Sequence, residues 1–197
     1  EHQIAKNNMQ VLNMLNTKYF IVNDTECQKN ATALGNAWFV QKINYVQSAN
    51  EEMTALNTLH PDSAAVADAS FKAVLGEATP TAPGDTIYET SYAPNRLTYH
   101  ANTQNGALAV FSEIYFPWGW EAEIDGEPAQ IGRVNYVLRA MQIPAGKHSI
   151  VMTFNPKEVE TSDNVATAAI LIIYVLVFAA FNLGIYRKLR QGDEDNE

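Results

Sequence analysis

The chain has 197 residues with 13 basic and 22 acidic side chains, a formal charge of −9, which excludes the basic stripe of a nucleic-acid binder. Hydrophobic residues make up 47%, too many for a disordered acidic tail. A single cysteine, Cys27, excludes an internal disulfide framework and a multi-cysteine zinc site, and His2, His60, His100 and His148 follow no metal-ligand spacing.

The first residues, EHQIAKNNMQ, are polar and carry no signal peptide. Apolar residues at 11, 12, 14 and 15 predict a short helix over Met9–Leu15. Tyr19–Val22 is a continuous apolar run of strand length, bounded by Asn23-Asp24. A second strand is expected over Ala37–Val46. Ser48-Ala-Asn-Glu51 reads as a capping box that opens a helix with Met53, Leu56 and His60 on one face, stopped by Pro61. Another strand is expected at Ser63–Ala67, and Thr79–Asp85, with two prolines and a glycine, reads as a turn or linker.

From Thr86 the pattern is all-β. Strands are expected at Thr86–Tyr92, Leu97–Asn102, Ala107–Tyr115, Trp120–Ile124, Ala129–Ile131, Val137–Ile143 and His148–Phe154. Turn signals such as Pro94-Asn95, Asn105-Gly106 and Ala145-Gly146 separate them. Asp125-Gly126 between two such runs is a two-residue hairpin signal, because a type I′ turn needs positive φ at both central positions. Short strands at this spacing predict a mainly β fold, a jelly-roll-like β-sandwich, with a small α/β N-terminal part. The expected organisation is an α/β subdomain at 1–78, a sandwich at 86–156, a transmembrane helix at 164–186 and a cytoplasmic tail at 187–197.

The span rests on 164–186 (NVATAAILIIYVLVFAAFNLGIY), which contains no charged residue. As a helix it is about 34 Å long, against about 30 Å of bilayer hydrocarbon. Tyr186 is expected in the headgroup belt. Arg187, Lys188 and Arg190 crowd the C-terminal flank, whereas Lys157 on the other flank stands among Glu158, Glu160 and Asp163. The positive-inside rule then puts the C-terminus in the cytoplasm and residues 1–160 outside it. The competing reading, a cytosolic tail-anchored protein, would move the three basic residues across the membrane. A following helix does not easily export so large a domain, so the chain is expected to be the C-terminal piece of a longer protein with an earlier span.

Few residues suggest chemistry. Glu121, Glu123 and Asp125 alternate with Trp120, Ala122 and Ile124, which puts three carboxylates on one strand face. That fits a cation site or a glycosidase pair, but also the solvated face of a half-buried strand, and the solvated face is the default. Tyr115-Phe116-Pro117-Trp118-Gly119-Trp120 concentrates aromatics that fill a core, stack on sugar or sit at a membrane interface. Pro117 and Gly119 favour a bulge over a regular strand there. Trp118 and Trp120 are the candidates for glycan contact. Arg139 falls in phase with Val137, Met141 and Ile143, so it is expected to point to the core and to need a carboxylate, with Glu113 as candidate. Cys27 reads as an idle thiol, with Lys29 its only basic neighbour. Asn23-Asp-Thr25 and Asn30-Ala-Thr32 match glycosylation sequons. No phosphate loop, GxSxG or GxGxxG occurs. No catalytic, cofactor-binding or metal-ligating residue is assigned, and no cofactor.

Several segments taken together look familiar: LNMLNTKYFIV (12–22), GNAWFV (35–40), YAPNRLTY (92–99), FSEIYFPWGWEAEIDG (111–126), RVNYVLRAMQIPAGKHSIVMTFNP (133–156) and the terminal span. The set resembles the C-terminal part of the bacterial YfhO-type membrane proteins and covers nearly the whole chain. One departure is the extra Trp118, where the family more often has a plain Pro-Gly-Trp. The resemblance implies a polytopic protein of the bacterial cytoplasmic membrane with a glycosyltransferase-C-like architecture, acting on cell-envelope glycan from a lipid-linked sugar. It also implies catalytic carboxylates in an early outer loop that this sequence does not contain. Partners so implied are the lipid bilayer, a lipid-linked sugar or envelope glycan and the remainder of the same longer chain, with no nucleic acid. Two classes of function follow: the non-catalytic, acceptor-shaping outer domain of such an enzyme, or a membrane-anchored domain for binding or scaffolding.

Overall fold

The structure, a computed structural model, describes residues 8–194, with side chains described outside 157–160 and 186–194. His2 and residues 195–197 therefore lie outside the described residues, as do the side chains of Tyr186 and of the flanking Lys157, Glu158, Glu160, Arg187, Lys188 and Arg190. The chain divides into two compact units, one ending at Asn155 and one from Pro156.

The first unit is mainly β. Helix α1 (Met9–Met14) is opened by Asn8, whose side chain accepts from the Gln10 N–H. Strands β1 (Tyr19–Ile21) and β2 (Cys27–Lys29) form an antiparallel hairpin. The expected long strand at Ala37–Val46 is two strands, β3 (Ala37–Val40) and β4 (Lys42–Val46), in different sheets. The break falls at Gln41, whose N–H donates to the Ser63 carbonyl (2.8 Å) instead of continuing β3's ladder. Helix α2 (Ala49–Ala55) has the expected cap: the Ser48 hydroxyl accepts from the Glu51 N–H, and the Glu51 carboxylate accepts from the Gln47 N–H. It closes through Asn57 N–H to the Thr54 carbonyl and Thr58 N–H to the Ala55 carbonyl, before Pro61 and leaving His60 beyond its end. Strand β5 (Ala64–Asp68) runs parallel to β4. A 3₁₀ turn (Ala69–Phe71) and helix α3 (Lys72–Leu75) follow.

The remaining strands are β6 (Thr86–Ala93), β7 (Arg96–Thr103), β8 (Ala107–Ile114), β9 (Trp120–Ile124), β10 (Glu127–Ala129), β11 (Gly132–Val134), β12 (Leu138–Ile143) and β13 (Gly146–Phe154). They build a five-stranded sheet, β10-β9-β13-β7-β6, and a four-stranded sheet, β11-β12-β8-β3. The chain crosses between sheets after β7, β8, β10 and β12, as in jelly-roll-like sandwiches. One crossing, at Gln130-Ile131, falls inside the expected strand Ala129–Ile131, of which only Ala129 is in a strand, the last residue of β10; β11 begins at Gly132. The Asp125-Gly126 turn has φ of 53° and 88°, the positive pair that its residue types favour.

The four-stranded sheet is covered on both faces. Phe111, Ala109, Met141 and Ile143 meet Leu97, Tyr99, Ile150 and Met152 of the other sheet. On its far face Leu108, Val110, Val40 and Ala140 pack with Met14, Leu56, Ala65 and Leu75. This is why Ala107–Phe111 is apolar without alternation: a strand buried on both faces has no polar side. Because β3 comes from the first 78 residues and pairs with β8, those residues contribute a strand to the sandwich, and the Thr79–Asp85 stretch lies inside one compact unit.

Glu52, fully buried, pins the layers together. Its carboxylate accepts from Arg133 Nη2 (2.9 Å) and from the Tyr136 N–H (2.8 Å). Beside it Asn135 adopts a φ of 51°. Asn135 exchanges two hydrogen bonds with Val66 of β5, its N–H donating to the carbonyl and its Oδ1 accepting from the N–H. The second sequon is also structural: Asn30 is 8% exposed and donates to Asn13 Oδ1 and the Thr17 carbonyl.

The second unit contains helix α4 (Lys157–Glu194), of which Thr161–Ile185 is long and apolar enough to cross a membrane.

Candidate functional site

Where β8 ends, Tyr115–Gly119 turns the chain to the opposite sheet. The Tyr115 N–H donates to the Val137 carbonyl (2.7 Å), and Gly119, at a φ of 113°, presents its carbonyl to the Asn155 N–H (2.6 Å). A side chain is strained at that φ, so glycine suits the position. The turn borders an open pocket of about 480 Å³, lined by Tyr115, Phe116, Trp120, Glu121, Glu123 and Arg139 among others. Its size is that of a small-ligand site.

Arg139 belongs to the interior face of β12, as its phase predicts, and is 2% exposed. The expected ion pair with Glu113 is not formed. Instead Nε donates to the Ile114 carbonyl (3.0 Å), Nη1 lies 3.7 Å from the Met152 sulfur, and the guanidinium stacks over Trp120 at 4.0 Å from the ring centroid. A planar, weakly hydrated guanidinium suits such stacking better than an ammonium. Glu113 acts on it through space: burial pushes the Glu113 carboxyl above its ordinary value, Arg139 pulls it partly back, and Glu89 adds to the rise. Burial in turn lowers the affinity of the Arg139 guanidinium for its proton, though it stays cationic at any physiological pH.

Behind Arg139 the space between the sheets ends in a polar cluster. The Tyr99 hydroxyl is fully buried without a hydrogen-bond partner, and Glu89 Oε1 is likewise unpartnered. Burial and the negative charges of Glu113 and Glu89 push the Tyr99 pKa far up, so it remains a neutral hydroxyl. The other Glu89 oxygen accepts from Asn36 Nδ2, and Asn36 Oδ1 accepts from Asn16 Nδ2 (2.6 Å).

The two tryptophans do not form one platform. Trp120 lines the pocket with one face against Arg139 and Phe154 close by, at 5.3 Å between centroids. Trp118, in the turn before β9, is 65% exposed and packs edge-on against Phe116 at 5.1 Å. Glu121 and Glu123 are exposed on one face of β9. Asp125 on that face is bound instead to His148 Nδ1 (2.6 Å) and the Ser149 N–H (2.8 Å). No group of three metal-ligating side chains occurs among the described residues.

Sequence reasoning missed Tyr99, Glu89 and Asn36. Alternation in RLTYHANT would have turned Tyr99 inward with Leu97 and Ala101; Glu89 and Asn36 carry no such signal. The pocket can donate hydrogen bonds from Arg139 and accept them at Glu121 and Glu123, beside aromatic rings. No family model, no curated protein and no solved structure matches the chain.

Proposed function

We propose that the chain is the membrane-anchored, non-catalytic outer domain of a YfhO-type envelope protein, and that its pocket holds a neutral saccharide of the cell-envelope glycan. The supporting observation is Arg139. It is almost wholly buried, yet it lines an open pocket, and among the described residues its one full-strength acceptor is the Ile114 carbonyl. A guanidinium has five N–H donors, and leaving them unmade in a low-dielectric site is costly. Sugar hydroxyls accept from such donors and donate to carboxylates such as Glu121 and Glu123, while Tyr115 and Phe116 offer rings to the sugar's C–H faces. The rim carboxylates disfavour an acidic sugar.

The resemblance supports the rest: a longer polytopic chain whose transfer chemistry lies in an upstream outer loop, with residues 1–160 outside the cytoplasm. The test is saturation-transfer NMR on the full chain in nanodiscs with neutral envelope oligosaccharides. Transfer to sugar protons from wild type, lost in Arg139→Gln, supports the reading; no transfer from wild type to any of them refutes it.

A further inference from the structure

Phe154 and Asn155 are the last residues of the first unit, and two turns are bonded to them. The Phe154 N–H donates to the Asn95 carbonyl (2.8 Å) in the β6–β7 hairpin, and the Asn155 N–H donates to the Gly119 carbonyl. The side chains presented at these turns are large and apolar. Trp118 and Tyr92 are each about two-thirds exposed, and Ile114 and Phe116 about half. Four such residues clustered at one end are unlike scattered surface apolars, which need no explanation.

Chain length says what covers them. The membrane-compatible segment begins at Thr161, six peptide steps after Asn155, at most about 20 Å even if fully extended. The headgroup layer adds about 5–8 Å outside the hydrocarbon. The exit end of the sandwich is thereby tethered within reach of the interface, where tryptophan and tyrosine are favoured. A second exposed apolar set, Tyr19, Ile21 and Val22 on the β1–β2 hairpin, has no such tether, and Met9 and Tyr88 are exposed elsewhere on the unit.

We infer that the Tyr115–Gly119 turn and the end of the β6–β7 hairpin rest on the phospholipid interface, with Trp118 inserted at headgroup depth. This inference rests on α4 being a membrane span. The pocket shares Phe116 with this face, so its ligand is held beside the membrane surface.

The chain's three tryptophans are Trp38, Trp118 and Trp120, and α4 has none. Bromine-labelled lipid therefore reports on the outer unit alone. The full chain is reconstituted into vesicles of dioleoyl- or dibromo-phosphatidylcholine, and flotation establishes insertion. The inference predicts that wild type loses tryptophan emission in brominated vesicles and that Trp118→Phe loses none. Floating protein with unquenched emission overturns the interface contact and leaves the span standing; equal quenching in both proteins overturns the insertion of Trp118, since the quenched tryptophan is then another one. Failure to float overturns the span and the contact with it.

Discussion

The guanidinium of Arg139 and the indole of Trp120 stack at 4.0 Å across the sandwich, joining β12 of one sheet to β9 of the other. The stack places a fixed cation on the inner wall of the pocket without a contacting carboxylate. A desolvated cation–π contact of this kind contributes about 2 kcal/mol, and the Nε bond to the Ile114 carbonyl adds to it.

Arg139→Met should therefore destabilise the outer unit by about 3 kcal/mol, since it removes the stack, orphans the Ile114 carbonyl and leaves half-buried Glu113 without a nearby cation. Glu113→Gln should couple to it by less than about 1 kcal/mol, because the two side chains interact through space. Urea unfolding of residues 1–160 and its single and double variants measures both. A coupling as large as the single loss would indicate a direct pair.

The Glu52–Arg133 bridge is a second pin. Arg133→Met leaves a fully buried carboxylate with, among the described residues, the Tyr136 N–H alone, and a loss of about 3 kcal/mol is expected, the range for a broken buried pair. Arg133→Lys should recover part of it. Equal losses for both variants in the same unfolding measurement would show that the guanidinium's packing on Phe71 and Tyr136 matters more than its charge.

The β9–β10 hairpin carries a pH-sensitive contact. Asp125 raises the His148 pKa by hydrogen bonding, whereas the Ser149 N–H and His148 lower that of Asp125. A raised histidine contributes stability that is full below its unfolded value of about 6.5 and lost as pH rises through its folded value. A lowered aspartate contributes above its unfolded value of about 3.9 and loses that as pH falls through its folded value. The contact should thus be strongest between about pH 4 and pH 6.5. NMR titration should give His148 a pKa above the ordinary value, and Asp125→Asn should return it toward that value; an unchanged titration would mean the ring does not hold this partner.

How much of this could be read from residues alone varies with the element. The Asp125-Gly126 hairpin was legible because its residue types suit positive φ, and the inward phase of Arg139 was legible because alternation fixes a strand's faces. What Arg139 touches was not, since Trp120 and Ile114 reach it only through the pairing of sheets. The single strand expected at Ala37–Val46 failed for the same reason: the stretch has no glycine or proline to mark a break at Gln41-Lys42, and the switch there is held by the Ser63 carbonyl. Tyr99 went unnoticed although the alternation of β7 turns it inward, and its missing hydrogen-bond partner is a property of the assembled sandwich. Trp118 and Trp120 looked equivalent by composition, and the turn at Gly119 gave one to the pocket and the other to the surface.

The proposed topology orients α4 by the basic residues after Ile185, which the positive-inside rule keeps in the cytoplasm. A reporter fused behind Glu197 should be active only if it functions in the cytoplasm. Activity of a reporter that functions only outside the cytoplasm would reverse the topology and remove the pocket from the envelope side.

The proposed role of Arg139 is to donate hydrogen bonds to a saccharide, and titration calorimetry measures it. Neutral envelope oligosaccharide is titrated into the full chain in nanodiscs, with wild type beside Arg139→Lys, which keeps the charge but not the planar donor fork. Saturable binding by wild type should weaken about tenfold in the variant, the equivalent of about 1.4 kcal/mol. Equal affinity in both proteins, or no binding heat from wild type, would contradict it.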